Sequence, residues 1–348
     1  MDFSKKILDW YQYNKRELPW RATTDPYHIW LSEIMLQQTR VAQGLPYYEK
    51  FVHHFPTVFD MANASEEEVL KLWQGLGYYS RARNMHLTAK TVVGQYNGKF
   101  PSTYKELLKL KGIGDYTASA IASICFMEPE PVVDGNVYRV LSRYFGVDIP
   151  INSTKGIKYF KDLARKVMDR ERIRDYNQGI MEFGAIQCAP KKPYCLLCPL
   201  KEGCMALKEN RTKELPIKIK KTKIRERYFN YLVFLDDEKR TKIEQRTGKG
   251  IWQGLYQFPL FETSTLAEEK EIYTAIAKEF PKTRIKSIRP YNTEIMVHKL
   301  SHQHLKTRFW IVDLKVDLDD GVLWSTLEDY PVPVLIADFI KSFKNHYF

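Results

Sequence analysis

The hydrophobic pattern of this chain changes period once, near Tyr228. Up to about residue 210, apolar residues recur at helical spacing, broken by short turns such as Asn97-Gly98-Lys99-Phe100-Pro101. From Tyr228 onward, residues 228–235, 255–261, 294–300 and 309–316 read as strands, and 267–280 and 334–343 as helices. Helical spacing alone fills the first part, whereas strands and helices mix in the second. The chain is therefore expected to be multidomain, with an all-α domain over 1–210 and an α+β domain over 228–348. Residues 211–227 join them as a basic connector carrying Arg211, Lys213, Lys218, Lys220, Lys221, Lys223, Arg225 and Arg227. A length of 348 residues gives each part room for its own core.

Inside the helical part, Trp30-Leu31-Ser32-Glu33-Ile34-Met35-Leu36-Gln37-Gln38-Thr39 places one carboxylate in an apolar stretch. Asp25-Pro26 before it is a helix-start signal. A helix apolar nearly all round is buried, and a buried carboxyl resists ionisation. Near neutral pH such a Glu33 can serve as a general acid; the plainer alternative is a Glu that bonds a neighbouring backbone group or an Arg. Leu18-Pro19-Trp20-Arg21 is a turn leading into this helix. Leu76-Gly77-Tyr78-Tyr79-Ser80-Arg81 places two aromatics and an Arg after a helix-ending Gly, where they can pack or wedge between bases.

Helices are expected over 102–110 and 117–125, with Lys111-Gly112-Ile113-Gly114-Asp115-Tyr116 between them. Gly112 and Gly114 leave the backbone N–H groups of that turn open at a helix N-terminus. Such a turn suits an anion, and a DNA phosphate fits it without sequence preference. Asp134 stands at a further helix start, as a plain N-cap or as a second carboxylate held ionised by helix-terminal N–H groups. Glu33 and Asp134 would then be displaced in opposite directions, the arrangement used in glycosidic-bond cleavage.

Cys188, Cys195, Cys198 and Cys204 form C-x6-C-x2-C-x5-C. Four thiolates so close can hold an iron–sulfur cluster or a structural zinc, and the presence of a single CxxC pair favours the cluster. With 54 basic against 42 acidic residues, the net charge of +12 points to a polyanionic partner. The start of the chain does not resemble a signal peptide, and no apolar run is long enough for a bilayer span, so a soluble, cytoplasmic protein is expected. His298, His302 and His304 near Ser301 could bind metal, but the lack of nearby carboxylates favours a polar contact loop.

The Gly-Ile-Gly hairpin, the Asp134 helix start and the cysteine run together resemble the helix-hairpin-helix DNA glycosylases that carry a [4Fe-4S] cluster. Within that superfamily, 30–39 and 75–81 resemble the adenine DNA glycosylases of the MutY type. Gly250-Ile251-Trp252-Gln253-Gly254-Leu255-Tyr256-Gln257-Phe258-Pro259 resembles that family's MutT-like, Nudix-like domain. The resemblance implies a monomeric, monofunctional enzyme that removes adenine mispaired with 8-oxoguanine or guanine in double-stranded DNA. It implies Glu33 as the acid at adenine N7, and Asp134 stabilising or attacking the oxocarbenium-like sugar, assisted by Tyr116 and Asn136. Arg21, Trp20 and Gln178 would surround the flipped adenine. Gln37, Gln38, Thr39, Tyr78, Arg81, Gly112 and Gly114 would meet DNA, with Gln38 and Tyr78 around the 8-oxoguanine. Leu300, Ser301 and His302 would form the recognition loop for that base. Three departures stand out: Lys111 where the family hairpin has Pro, Leu300 where it has Phe, and no Nudix metal-binding glutamates after Pro259. The rivals are an endonuclease III-like glycosylase/lyase, which needs a Lys at the Tyr116 position, a non-catalytic DNA-binding module, and a nucleotide hydrolase.

Overall fold

The computed structural model describes residues 2–219, 224–280, 284–292 and 294–347; Lys220, Lys221 and Lys223 of the expected connector lie outside the described residues. The first part is helical: α1 (Asp2–Asn14), α2 (Pro26–Met35), α3 (Val41–His54), α4 (Val58–Asn63), α5 (Glu66–Trp73), α6 (Ser80–Tyr96), α7 (Tyr104–Leu107), α8 (Asp115–Phe126), α9 (Gly135–Phe145), α10 (Thr154–Val167), α11 (Ile173–Ile186) and α12 (Met205–Lys208). No described helix is long and apolar enough to cross a membrane.

Local chemistry explains where these helices begin and end. The Asp25 side chain accepts from the Tyr27 N–H at 2.7 Å, and Pro26 fills the first position of α2. A capping box of Ser65 and Glu68 starts α5. The α2 helix stops at Met35, so the last four residues of the expected 30–39 stretch leave it, with Gln38 in the left-handed region at φ 58°. The helix expected over 102–110 shrinks to the single turn α7. Beyond it the backbone tightens into i→i+3 hydrogen bonds, Lys109 to Glu106, Leu110 to Leu107 and Ile113 to Leu110, burying Leu107, Leu110 and Ile113 on one edge. Gly112 has φ 78°, and a Cβ there would stand 2.8 Å from Cβ of Asn84, so only glycine fits.

The chain forms two compact units, Met1–Asn63 with Asn84–Lys220, and Ala64–Arg83 with Lys221–Phe348. Residues 64–83, expected within the helical domain, therefore group with the C-terminal part. Hydrogen bonds account for this. Lys71 Nζ donates to the carbonyls of Glu328 and Tyr330, Gln74 accepts from the Val332 N–H at 3.2 Å, and Arg83 donates to the Gln253 carbonyl at 2.5 Å. In the first unit α11 packs on α1, α8 and α9, while α2 lies against α3 and α8.

In the second unit follow β1 (Arg225–Leu235), β2 (Arg240–Thr241), β3 (Glu244–Gln245), β4 (Tyr256–Gln257), β5 (Leu260–Thr263), α13 (Glu269–Glu279), β6 (Ile285–Pro290), β7 (Met296–Lys299), β8 (Gln303–Leu314), β9 (Val322–Leu323) and α14 (Val334–Tyr347). The main sheet runs β5-β1-β8-β6, with β7 also paired to β8. The β1–β8 pair is parallel from Arg225↔Gln303 to Leu235↔Asp313. Charged ends hid parts of these strands from sequence reading. The β1 strand starts at Arg225, inside the expected connector, with Arg227 paired to Glu262 at 2.5 Å. The β8 strand starts at Gln303 instead of 309, and β6 was not expected at all, since Lys286 and Ser287 are exposed.

One sheet face buries Leu232, Phe234, Trp310, Val312 and Leu314 against Ile272 and Ile276 of α13. On β8 Phe309 stacks in parallel on Phe339 of α14, centroids 3.9 Å apart, and on Tyr231 at 5.3 Å. Replacing Phe309 with Ala removes both stacks and opens a void, and should cost the second unit about 3–5 kcal/mol, read by denaturant unfolding.

Candidate active site

Five elements of the first unit converge on one cavity of about 590 Å³. The 3-10 turn Pro19–Arg21 brings Trp20 and Arg21, α2 brings Glu33, the first turn of α8 brings Tyr116, and α11 brings Gln178, Met181 and Glu182. Asp134 and Asn136 enter at the start of α9, and Thr39 also lines the wall.

Glu33 is only 8% exposed, and its carboxylate accepts from the Tyr116 hydroxyl at 2.5 Å. Burial raises its pKa to about 7, assisted by the nearby Asp134 charge and opposed by Tyr116 and Arg21. Near neutral pH the group is thus present in both forms. The Tyr116 hydroxyl also lies 3.3 Å from the Met181 sulfur.

Asp134 is the N-cap of α9, accepting from the N–H groups of Asn136 at 2.9 Å and Val137 at 2.8 Å. The Asn136 amide donates to its other oxygen at 2.8 Å. The expected depression of its pKa is not found. Desolvation outweighs these three donors and Arg139, and the carboxyl is displaced upward like Glu33. What separates the two carboxyls is hydrogen bonding: three donors on Asp134 favour its charged form, against one on Glu33.

Arg16, Glu182 and Arg139 escaped sequence reading, and the expected Arg21, Trp20 and Gln178 have partners it did not foresee. Arg16 and Arg21 both clamp Glu182, with guanidinium–carboxylate contacts of 2.6 and 2.7 Å. Burial alone would raise Glu182, but these bonds hold it at about 2. The donors of Arg21 are thereby committed within the wall of the cavity. Trp20 sets its ring edge-on to Tyr48, and Gln178 accepts from the Tyr11 hydroxyl at 3.3 Å. Arg139 on α9 donates to Asn136 Oδ1 at 2.8 Å, to the Gly184 carbonyl at 2.5 Å and to the Cys188 carbonyl at 2.7 Å. Gly184 permits this, since a Cβ there would meet the Asn136 Cβ at 2.7 Å. The only signal in the sequence is the helical spacing that sets Arg139 one turn after Gly135.

The four cysteines are free of disulfides and together line a small cavity of about 30 Å³. Zinc would need its sulfurs at about 2.3 Å from one point. Among the described residues, no three His, Cys, Asp or Glu side chains converge in that way. Arg143 Nη1 lies 3.4 Å from the Cys188 sulfur, and backbone N–H groups of Leu200 and of Ala206 and Leu207 reach Cys198 and Cys204. Four thiols lining one cavity and met by N–H donors are a donor set that a metal group could use.

Gly114 caps α8 directly behind the left-handed Gly112, so the expected turn does open onto a helix N-terminus. Gln37 donates to Thr117 Oγ1 at 3.2 Å, tying the end of α2 to α8, while Gln38 is exposed. In the second unit Tyr78 is half exposed, has φ 49°, and sets its hydroxyl 2.5 Å from Ser301 Oγ. Leu300 closes the turn between β7 and β8 by donating its N–H to the Gln303 carbonyl, leaving Ser301 and His302 exposed at the tip. Arg81, expected to meet DNA, is instead 8% exposed, because its guanidinium donates to the carbonyls of Leu76 and Gly77.

Residues 31–166 match the HhH-GPD superfamily of base excision DNA repair proteins, and residues 230–342 match the NUDIX domain. The adenine DNA glycosylase of Buchnera aphidicola subsp. Baizongia pistaciae is 35% identical over 360 residues, covering 99% of this chain and 98% of that protein. This chain belongs to the adenine DNA glycosylase family. As such it is a base excision repair glycosylase, a hydrolase of N-glycosyl bonds. A solved thermostable thymine-DNA glycosylase is similar at 32% identity and TM-score 0.55, over 60% of this chain and 95% of that one. An endonuclease III–DNA covalent intermediate shares the fold of the same part at 22% identity and TM-score 0.52, over 60% of this chain and 94% of that one.

The raised pKa of Glu33 has a consequence for stability. A carboxyl at about 7 in the folded state and at its ordinary value when unfolded binds its proton more tightly when folded, so it weakens the fold as pH rises between the two. Relative to the wild type, Glu33→Gln should gain about 3 kcal/mol between pH 4.5 and 7.5. Denaturant midpoints across that range would check it; a constant offset would show that Glu33 titrates normally.

Proposed function

We propose that this protein excises adenine mispaired with 8-oxoguanine, or with guanine, from duplex DNA and leaves the strand intact. The observation that carries this reading is the buried Glu33, half protonated near neutral pH, in one cavity with Asp134. Such a pair cleaves a glycosidic bond, the acid serving the leaving group and the carboxylate the sugar. Inside a duplex the bond is out of reach, so the base must rotate into the cavity between Trp20, Arg21 and Gln178. Glu33 gives its proton to adenine N7, and the C1′–N9 electron pair leaves with the base. Asp134 balances the positive charge on the sugar, electrostatically or as a nucleophile, until water supplies the new hydroxyl. Adenine as the base is supported by the name of the Buchnera relative, which covers almost the whole chain.

A phenol at Tyr116 cannot form the Schiff base of a lyase, which favours a monofunctional reaction. Tyr78, Ser301 and His302 stand exposed in the second unit as readers of the partner base, and Gly112 and Gly114 accept a phosphate. Cys188, Cys195, Cys198 and Cys204 would hold a [4Fe-4S] cluster, which would tie the 188–204 loop together beside Arg143 of α9 as a structural element.

Single-turnover assays on duplexes with A opposite 8-oxoguanine, G or T test the reading. Alkali-dependent breaks are expected with the first two only. The rate should fall about tenfold per pH unit above 7 as Glu33 loses its proton. Glu33→Gln should abolish release and keep duplex binding; full turnover by that variant, or a borohydride-trapped adduct, would overturn the mechanism. Iron and sulfide analysis should find four of each per chain in the wild type, and Cys198→Ser should lose them.

A further inference from the structure

The turn that carries Tyr78 is unusual in its backbone. Gly75, Gly77 and Tyr78 all have positive φ, at 100°, 75° and 49°. Glycine bears that conformation freely, but a tyrosine does so at a cost and persists only where its surroundings hold it. Two side chains fasten the turn through one atom: the Gly77 carbonyl accepts from Trp73 Nε1 at 3.0 Å and from Arg81 Nη2 at 3.0 Å. The Arg81 guanidinium lies over the Trp73 ring, 5.0 Å from its centroid, and over the Tyr78 ring, 5.5 Å from its centroid, so one cation serves both aromatic rings. Trp73 is fully buried and gives this arrangement a fixed floor, while Tyr78 is 51% exposed at its other end. From 223 residues along the chain, the Ser301 hydroxyl meets that of Tyr78 at 2.5 Å.

The geometry points to Arg81 as a positioning residue: its guanidinium, set over Trp73 and bonded to the Gly77 carbonyl, holds the Tyr78 ring outward beside Ser301, so that the two hydroxyls meet the partner base as one preformed unit. This rests on the proposed mispair-adenine activity. Arg81 is buried, and its guanidinium donates to the carbonyls of Leu76 and Gly77 at the turn while facing the Tyr78 ring. Its broad, multi-donor guanidinium matters as well as its charge, since a compact lysine ammonium cannot face both rings and reach the carbonyl together. Because the pair is already formed in the free protein, ordering entropy at the base is low and discrimination gains accordingly.

The test combines Arg81→Gln and Arg81→Lys with Tyr78→Ala in a double-mutant cycle. The readout is the ratio of single-turnover rates on A opposite 8-oxoguanine and A opposite G, alongside duplex affinity. Arg81→Gln should reduce the preference for 8-oxoguanine about tenfold, and Arg81→Lys, which keeps stem and charge, should lose an intermediate amount. In the Tyr78→Ala background, Arg81→Gln should change the ratio no further. An additive loss in that background would overturn the proposal, since a merely structural Arg81 acts without Tyr78. Fluorine NMR of fluorotyrosine-labelled free protein, with Tyr78 assigned through Tyr78→Phe, gives a readout free of substrate. Arg81→Gln and Arg81→Lys should shift and broaden the Tyr78 signal, and an unmoved signal would overturn the proposal. If the wild type releases no adenine from either duplex, the functional reading fails, and fluorine NMR alone decides the role of Arg81.

Discussion

The hydrogen bond from the Tyr116 hydroxyl to the Glu33 carboxyl joins the two helices on which the catalytic cavity depends. It spans α2 and α8, elements 83 residues apart in the chain, and it is made where almost no solvent reaches. An isolated carboxylate in that place would be expensive, and one short bond lowers the cost without removing it. The remaining penalty is what keeps a proton on Glu33 near neutral pH. That cost falls on helices packed around a fully buried Trp30, with α2 against α3 and α8.

The other side of the cavity is organised by α9. Its N-terminus fixes Asp134, and its buried Arg139 and Arg143 reach the carbonyls and sulfur of the cysteine loop. Arg139 bonds the Asn136 side chain and the Cys188 carbonyl at once, so the loop between 188 and 204 and the Asp134 carboxyl share one helix as their frame. A group held by the cysteines would therefore share its frame with the Asp134 carboxyl. In the second unit the same economy recurs: one turn, floored by Trp73, presents Tyr78 to the Ser301 hairpin.

Much of this was legible in the sequence because it rests on local rules. The change of period near Tyr228, the Asp25-Pro26 start, the Gly112/Gly114 hairpin and the cysteine spacing each encode their own geometry within a few residues. Strands β6 and the first half of β8 were not legible, since their exposed charges mask the alternation that reveals a strand. The tightening after α7 was equally hidden, being driven by burial of Leu107, Leu110 and Ile113.

The sequence by itself determined which groups could do the chemistry: an acid in an apolar helix, a capping carboxylate and four clustered thiols. Only the tertiary structure decided their state. Asp134 is displaced upward because desolvation exceeds the three donors that a local reading counts, and solvent exclusion is a property of the whole cavity. Arg81 turned from a surface contact into a buried prop, and Arg16 with Arg21 became the clamp on Glu182, 161 residues and more away. Burial and long-range pairing are set by the fold as a whole, and no window of local sequence contains them.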